Sequence, residues 1–182
     1  MRNLLIIFIC SFSFLSLAQQ PTDVELEILN VLNQVRSDPQ QFLKDVAQPY
    51  IEKNDLSSNR YARSLLRDLK KQEAVGLLKI DSSLQEMAKD FAVRSGKRGV
   101  YGHREYNKRY DEYGSHLATD GENIQYGLSG PLDIVMDLLI DTDVPSLGHR
   151  KNILSDKYSV IGIGFAEHKK INYNTVMAFG GF

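Results

Sequence analysis

The chain has 182 residues, with 22 basic and 23 acidic side chains and a net charge of −1 at pH 7. This near-neutral balance predicts no broad positive surface, so we expect binding neither to nucleic acid nor to anionic membranes. The length suits one well-buried core and is short for two. We therefore predict one domain, and we expect a monomer.

Residues 1–18 have the composition of a secretory leader. Arg2 precedes an apolar run from Leu4 to Leu17, and Ala18 ends a cleavage site of small residues. The run is too short to span a membrane, and no stop-transfer pattern follows it. We therefore predict a signal peptide at residues 1–18 and an exported domain, extracellular or periplasmic, at residues 19–182. Cys10 is the single cysteine and would leave with the leader, so no disulfide is expected.

Apolar residues at spacings of three and four predict helices in the first part of the chain. Thr22 or Asp23 is expected to cap the first helix, and Ser37-Asp38-Pro39 to start the second. A third helix is predicted over Tyr61 to Ala74. Asp81 or Ser82 is expected to cap a fourth, which ends near Gly96 to Gly99. The predicted core positions on these helices are Ile28, Val31, Leu32, Val35, Phe42, Val46, Leu65, Leu66, Leu69, Leu84, Met87, Ala88, Phe91 and Ala92.

The second part of the chain begins with a segment without periodicity, Gly99 to Thr119, which predicts a long irregular loop of functional type. Pro131 then opens a short apolar helix through Leu139. Tyr158 to Phe165 and Tyr173 to Phe179 have the pattern of strands and predict an antiparallel hairpin. Helices followed by strands indicate the α+β class, with helices packed on a small antiparallel sheet.

Four polar positions are candidates for chemistry: His103 in YGHRE, Glu122 in DGENI, Asp141 at the end of PLDIVMDLLID, and His149 in LGHRKNIL. Two imidazoles and a carboxylate are ligands for Zn²⁺ or a similar divalent ion, and water in an open position of that ion would be acidified. Without a metal, Glu122 near a histidine is a candidate general base. Residue types alone leave both alternatives open.

Each candidate also has a purely structural interpretation. His149 would then bond backbone in its turn, with Asn152 capping the next segment. Asn123 is expected to satisfy backbone groups, and Asp141 would be a solvated helix end. His116 and His168 lack a motif and are predicted to lie on the surface. The tyrosines of residues 101–113 alternate with Arg104, Lys108 and Arg109, a combination that can bind sugars or anionic groups. Glu105, Asp111 and Glu112 nearly balance these charges, so we expect the tyrosines to anchor an exposed loop.

The order of these motifs resembles the CAP superfamily, which comprises cysteine-rich secretory proteins, antigen 5 and pathogenesis-related 1 proteins. GENI and GHRKNIL carry the resemblance, which covers nearly the whole chain after the leader. It implies a three-layer α-β-α sandwich with a cleft of two histidines and two acids. Because no cysteine follows the leader, the chain resembles the cysteine-free bacterial branch of that superfamily.

The resemblance also assigns the site residues. His103 and His149 match the two family histidines and are predicted to hold a metal with Glu122, the acid of G-E-N. Asp141 matches the second acid, with Asp137 as a rival one turn earlier. Glu122 and Asp141 are the predicted catalytic acids. The family's acid before a closing Phe is replaced here by Ala178, in Met177-Ala178-Phe179.

No G-x-S-x-G elbow or H-E-x-x-H helix occurs in the sequence, which disfavours the hydrolases that use these motifs. We therefore expect a secreted protein whose cleft binds a lipid, glycan or protein ligand, with a divalent metal such as Zn²⁺ as a possible cofactor. The alternatives are a peptidase-like hydrolase that uses the same residues and a non-catalytic envelope or lipid-binding module.

Overall fold

The computed structural model describes residues 20–182, so the predicted signal peptide and Cys10 lie outside the described residues. The helices are α1 (Asp23–Ser37), α2 (Pro39–Phe42), α3 (Gln48–Lys53), α4 (Arg60–Lys71), α5 (Ser82–Arg98), α6 (Tyr106–Tyr113), α7 (Pro131–Ile140) and α8 (Gly148–Ile153). A π-helical turn, Leu43–Ala47, joins α2 to α3. The strands are β1 (Lys79–Ile80), β2 (Thr119–Tyr126), β3 (Val160–His168) and β4 (Asn172–Gly181).

The predicted caps of α1, α2 and α5 are confirmed. Thr22 and Glu25 form a reciprocal capping box at the start of α1, which satisfies two backbone N–H groups. The Asp38 side chain accepts a hydrogen bond of 2.9 Å from the backbone N–H of Gln41 at the start of α2. Asp81 caps α5, and Gly99 ends that helix in the left-handed conformation that glycine adopts easily.

The four strands form one sheet in the order β1-β3-β4-β2. The predicted hairpin of β3 and β4 is confirmed as an antiparallel pair. The sheet is mixed rather than wholly antiparallel, because the two residues of β1 pair in parallel with Val160 and Ile161. Strand β2 carries the GENI motif and pairs with β4, although its polar sequence gave no strand signal.

Helices cover both faces of the sheet, which confirms the three-layer α-β-α sandwich. One apolar cluster joins α1, α4 and α7 to one face, with Ile28, Leu65, Leu139, Ile163 and Met177 fully buried. The second cluster joins α5 and α6 to the opposite face, and its buried residues include Leu84, Ala88, Ala92, Val176 and Ala178. Burial of these two faces accounts for the stability of a fold that has no disulfide within the described residues.

Three local predictions were wrong. The segment predicted to be irregular contains the helix α6, and the third predicted helix ends at Lys71 rather than Ala74. His168 is only 3% exposed, because it packs against Tyr101 and Tyr126 and its ring nitrogen lies 3.2 Å from the carbonyl oxygen of Val100. His116 is exposed, as predicted. Over residues 20–182, no helix is both long and apolar enough to cross a membrane.

Candidate functional site

His103 and Glu122 form the first of two histidine–carboxylate pairs. His103 lies in the turn before α6, and Glu122 lies on the edge strand β2. The Nδ1 atom of His103 is 2.8 Å from Oε1 of Glu122. The imidazole side chain is 48% exposed whereas the carboxylate side chain is fully buried. The buried carboxylate therefore fixes the ring through Nδ1, and the second ring nitrogen, Nε2, takes no part in this contact.

Arg109 on α6 completes the surroundings of Glu122. Its Nη2 donates to Oε1 over 3.0 Å and its Nη1 donates to Oε2, so the guanidinium grips both carboxylate oxygens. Arg109 itself is 2% exposed and lies 3.8 Å above the ring centre of Phe91. The sequence pattern did not indicate that Arg109 pairs with Glu122, because it stands among exposed charged residues on the same short helix.

These contacts determine the charge of Glu122. Burial alone would raise the pKa of this carboxyl. The hydrogen bonds from His103 and Arg109, together with the positive charge of Arg109, outweigh burial and hold the pKa below its ordinary value. Glu122 is therefore a carboxylate at neutral pH and a weak proton acceptor.

His149 and Asp141 form the second pair. Nδ1 of His149 is 2.7 Å from Oδ1 of Asp141, and the backbone N–H of His149 donates to Oδ2 over 3.0 Å. Asp141 ends α7 in the left-handed conformation, with φ of 59°, so its carboxylate points at the first turn of α8. The carboxylate thus caps α8 and orients the imidazole at once. The His149 side chain is 25% exposed, and the Asp141 side chain 1%.

Arg150, the next residue in the GHR motif, connects α8 to α4 and α7. It is 2% exposed, and its guanidinium donates to the carbonyl oxygens of Leu139 and Ile140 at the end of α7. It also donates to the carbonyl of Tyr61 and forms an ion pair of 2.7 Å with Asp68, both on α4. Arg150 therefore fixes α8, and with it His149, against two other helices.

Asn123 links the two pairs, because it follows Glu122 on β2. Its Nδ2 donates to the carbonyl oxygen of His149 over 3.0 Å, which confirms the prediction that Asn123 satisfies backbone groups. Its Oδ1 accepts from Nδ2 of Asn152, so Asn152 contacts β2 instead of capping a following segment. Adjacent side chains of a strand point to opposite faces. Two neighbouring residues of the edge strand β2 therefore contact the two pairs, Glu122 through the His103 ring and Asn123 through the backbone of His149.

The rival acid Asp137 forms no hydrogen bond with either histidine, and the position of the family's closing acid holds an alanine. Asp137 contacts Nε2 of Gln125 at 3.4 Å, and neither histidine bonds to it. Ala178, at the position of the family's closing acid, pairs with Glu122 across the β2–β4 ladder and supplies no carboxylate. Among residues 20–182, no three His, Cys, Asp or Glu side chains are arranged to hold a metal ion together. The metal and catalytic roles of His103, Glu122, Asp141 and His149 stay predictions.

Comparison with known proteins agrees with the architecture. The model of the CAP family, the cysteine-rich secretory protein family, matches residues 29–179. Protein YkwD of Bacillus subtilis, an uncharacterised protein, is 30% identical over 99 residues. That match covers 52% of this chain and 37% of the Bacillus protein, so the chain spans little more than a third of that relative.

Solved structures show the same fold at low sequence identity. Venom allergen-like protein 4 of Schistosoma mansoni is 17% identical with a TM-score of 0.55, over 88% of this chain and 90% of that one. A cysteine-rich secretory protein of Staphylococcus aureus is 15% identical with a TM-score of 0.50, over 90% of this chain and 42% of that one. Because the family match runs from the first helix to the last strand, the chain belongs to the CAP family of cysteine-rich secretory proteins.

Proposed function

We propose that this protein is exported and binds an extracellular ligand through a divalent cation held by His103 and His149, with Zn²⁺ as the ion to test first. One observation carries the proposal. Each histidine is exposed on one side and held through Nδ1 by a buried carboxylate on the other.

This arrangement fits a metal site. Histidines that bind a metal usually donate their other ring N–H to a carboxylate, which fixes the ring and makes the ligating nitrogen more basic. Glu122 and Asp141 are placed to do this for His103 and His149. Both oxygens of Glu122 are already engaged by Arg109 and His103, so we assign Glu122 a supporting position rather than a place among the ligands.

A cation held by two imidazoles keeps open coordination positions. Such an ion would act as a Lewis acid that binds an anionic or carbonyl oxygen of a ligand. The chain's own contribution is to keep the two rings oriented, with Nδ1 of each bonded to a carboxylate and Nε2 outside that contact.

Hydrolysis by the same residues has less support. A general base needs a pKa near the working pH, and Glu122 has a pKa held below its ordinary value by Arg109 and His103. The Arg109 guanidinium also covers both oxygens that would accept a proton. Binding is therefore the function that we propose, and lipid, glycan and protein remain the ligand classes to screen.

The test is calorimetric titration of residues 19–182 with Zn²⁺ at neutral pH, beside His103→Ala, His149→Ala and His116→Ala. We expect affinity in the micromolar range or tighter, lost in the first two variants. His116→Ala is the matched control, because His116 is an exposed histidine bonded to Asp81 and outside both pairs. Absence of heat with the unsubstituted protein, or an equal loss in the His116 variant, would contradict the proposal.

A further inference from the structure

A cavity lies beside the last turns of α5 and the loop that follows His103. It has a volume of about 290 Å³. Phe91 and Ser95, both nearly fully buried, form its floor. Three arginines line its walls: Arg94 and Arg98, one turn apart on α5, and Arg104 on the loop that leads to α6. Three guanidiniums around one small cavity concentrate positive charge there, and Arg98 and Arg104 are exposed to an incoming anion.

The acids nearby compensate for only part of this charge. Arg94 pairs with Asp90 at 2.7 Å and with Glu105 at 3.5 Å. Arg98 and Arg104 form no ion pair with any residue in the range 20–182. Glu105 is the one acid that lines the cavity. Two of the three guanidiniums are therefore available to an incoming anion.

We propose that this cavity binds a phosphate group, through Arg98 and Arg104 with Arg94 as a third donor. A guanidinium presents parallel N–H donors at the spacing of phosphate oxygens, so arginine is the usual residue for such an anion. The cavity has room for the phosphate and for the part of a ligand attached to it. This site does not depend on a cation at His103 and His149.

Glu105 acts as an internal competitor in this proposal. Its carboxylate reaches Arg94 from the cavity wall, where a phosphate oxygen would lie. Its backbone is in the left-handed region, with φ of 56°, which is unfavourable for a residue other than glycine or asparagine. Removing the Glu105 charge should therefore free Arg94 and tighten phosphate binding, an effect that a purely structural cluster of charges would not produce.

The experiment is titration of residues 19–182 with inorganic phosphate at low ionic strength, with chloride at matched ionic strength as the reference. We expect Arg98→Gln and Arg104→Gln each to weaken binding about tenfold, the loss of one charge-assisted contact. Glu105→Gln should strengthen binding. Arg67→Gln is the control, because Arg67 is an exposed arginine on α4, far along the chain from the cavity, and its removal changes the net charge by the same amount.

Backbone amide chemical shifts of the unsubstituted protein provide an independent test. We expect phosphate to change the shifts of residues 94–105 and to leave the others unchanged. Equal weakening by Arg67→Gln, unchanged binding in Glu105→Gln, or shifts spread over the whole surface would overturn the proposal. Vesicles of phosphatidylcholine with and without phosphatidic acid then distinguish the source. Retention on phosphatidic acid that needs Arg98 assigns a lipid headgroup, and no retention assigns a soluble phosphate compound.

Discussion

Glu122 is a buried carboxylate, and two neighbouring side chains stabilise its negative charge. A buried carboxylate that lacks a partner would take up a proton. Here Arg109 and His103 stabilise the charged form and hold the pKa of Glu122 below 4.5, its ordinary value. Because the carboxylate is favoured more in the folded chain than in the unfolded chain, its charge adds to the free energy of unfolding.

The sign of this linkage gives a pH prediction. The contribution of Glu122 is complete above pH 4.5, the ordinary value, and is lost as the pH falls through the lower pKa of the folded protein. We expect the free energy of unfolding to decrease over this acidic range, and to decrease less steeply in Glu122→Gln, which cannot take up the proton. Urea unfolding at a series of pH values measures both slopes.

Glu27→Gln provides the control for that series, because Glu27 is exposed on α1. This variant should keep the acidic slope of the unsubstituted protein. A Glu122→Gln variant with the unsubstituted slope would show that Glu122 has no depressed pKa in the folded chain.

The segment that joins α7 to α8 determines the position of His149. Asp141, at the end of α7, makes the contacts that fix it. The carboxylate of Asp141 accepts hydrogen bonds from the His149 ring and from the backbone of α8. Negative charge is favourable at a helix N-terminus. The left-handed backbone that Asp141 adopts is also tolerated by asparagine, so Asp141→Asn removes the charge without adding backbone strain.

Asp141→Asn is therefore predicted to weaken Zn²⁺ binding by about 10–100-fold, the usual effect of losing the group behind a metal-binding histidine. Calorimetry on Asp141→Asn and Asp137→Asn measures it. Asp137→Asn is the matched control and should lose much less affinity, because Asp137 bonds Gln125 and interacts with His149 through charge alone. A larger loss in the Asp137 variant would identify the rival acid as the partner of the site.

At the scale of the whole molecule, the sequence predicts the elements that have strong periodicity. The caps of α1 and α5 and the β3–β4 hairpin could be found because their residues form local patterns. Strand β2 could not, since Gly121, Glu122 and Asn123 have low strand propensity and pairing with β4 alone makes them a strand. Strand β1 has two residues, too few for any pattern.

The sequence likewise predicted the residues of the candidate site but not the contacts between them. The two histidines and two acids stand in motifs, but their pairing depends on the distance between separate elements. The buried arginines gave no signal, because arginine is mostly an exposed residue. Arg36, Arg109 and Arg150 are nevertheless 0–2% exposed, each bonded to groups that come from elsewhere in the chain. Arg36, for example, donates to the carbonyl oxygens of Ile153 and Tyr158.

The three layers are held together where α5 lies directly on β3. A Cβ atom on Gly164 would lie 2.2 Å from the carbonyl oxygen of Ala88, and one on Gly162 would lie 2.0 Å from the backbone of Leu84. Backbone cannot move aside as a flexible side chain can. The absence of side chains at these two positions of β3 therefore sets how closely the α5 layer approaches the sheet.

Gly164→Ala is accordingly predicted to destabilise the fold by about 3 kcal/mol or more, at the upper end of overpacking effects, because α5 must be pushed off the sheet. Gly76→Ala is the matched control, since no atom lies within 4 Å of its added Cβ, and it should be neutral or stabilise by about 0.4–1 kcal/mol. Urea unfolding measures both differences, and hydrogen exchange of α5 locates the first. If Gly164→Ala unfolds at the same urea concentration as Gly76→Ala, close packing of α5 on β3 does not limit the stability of the sandwich.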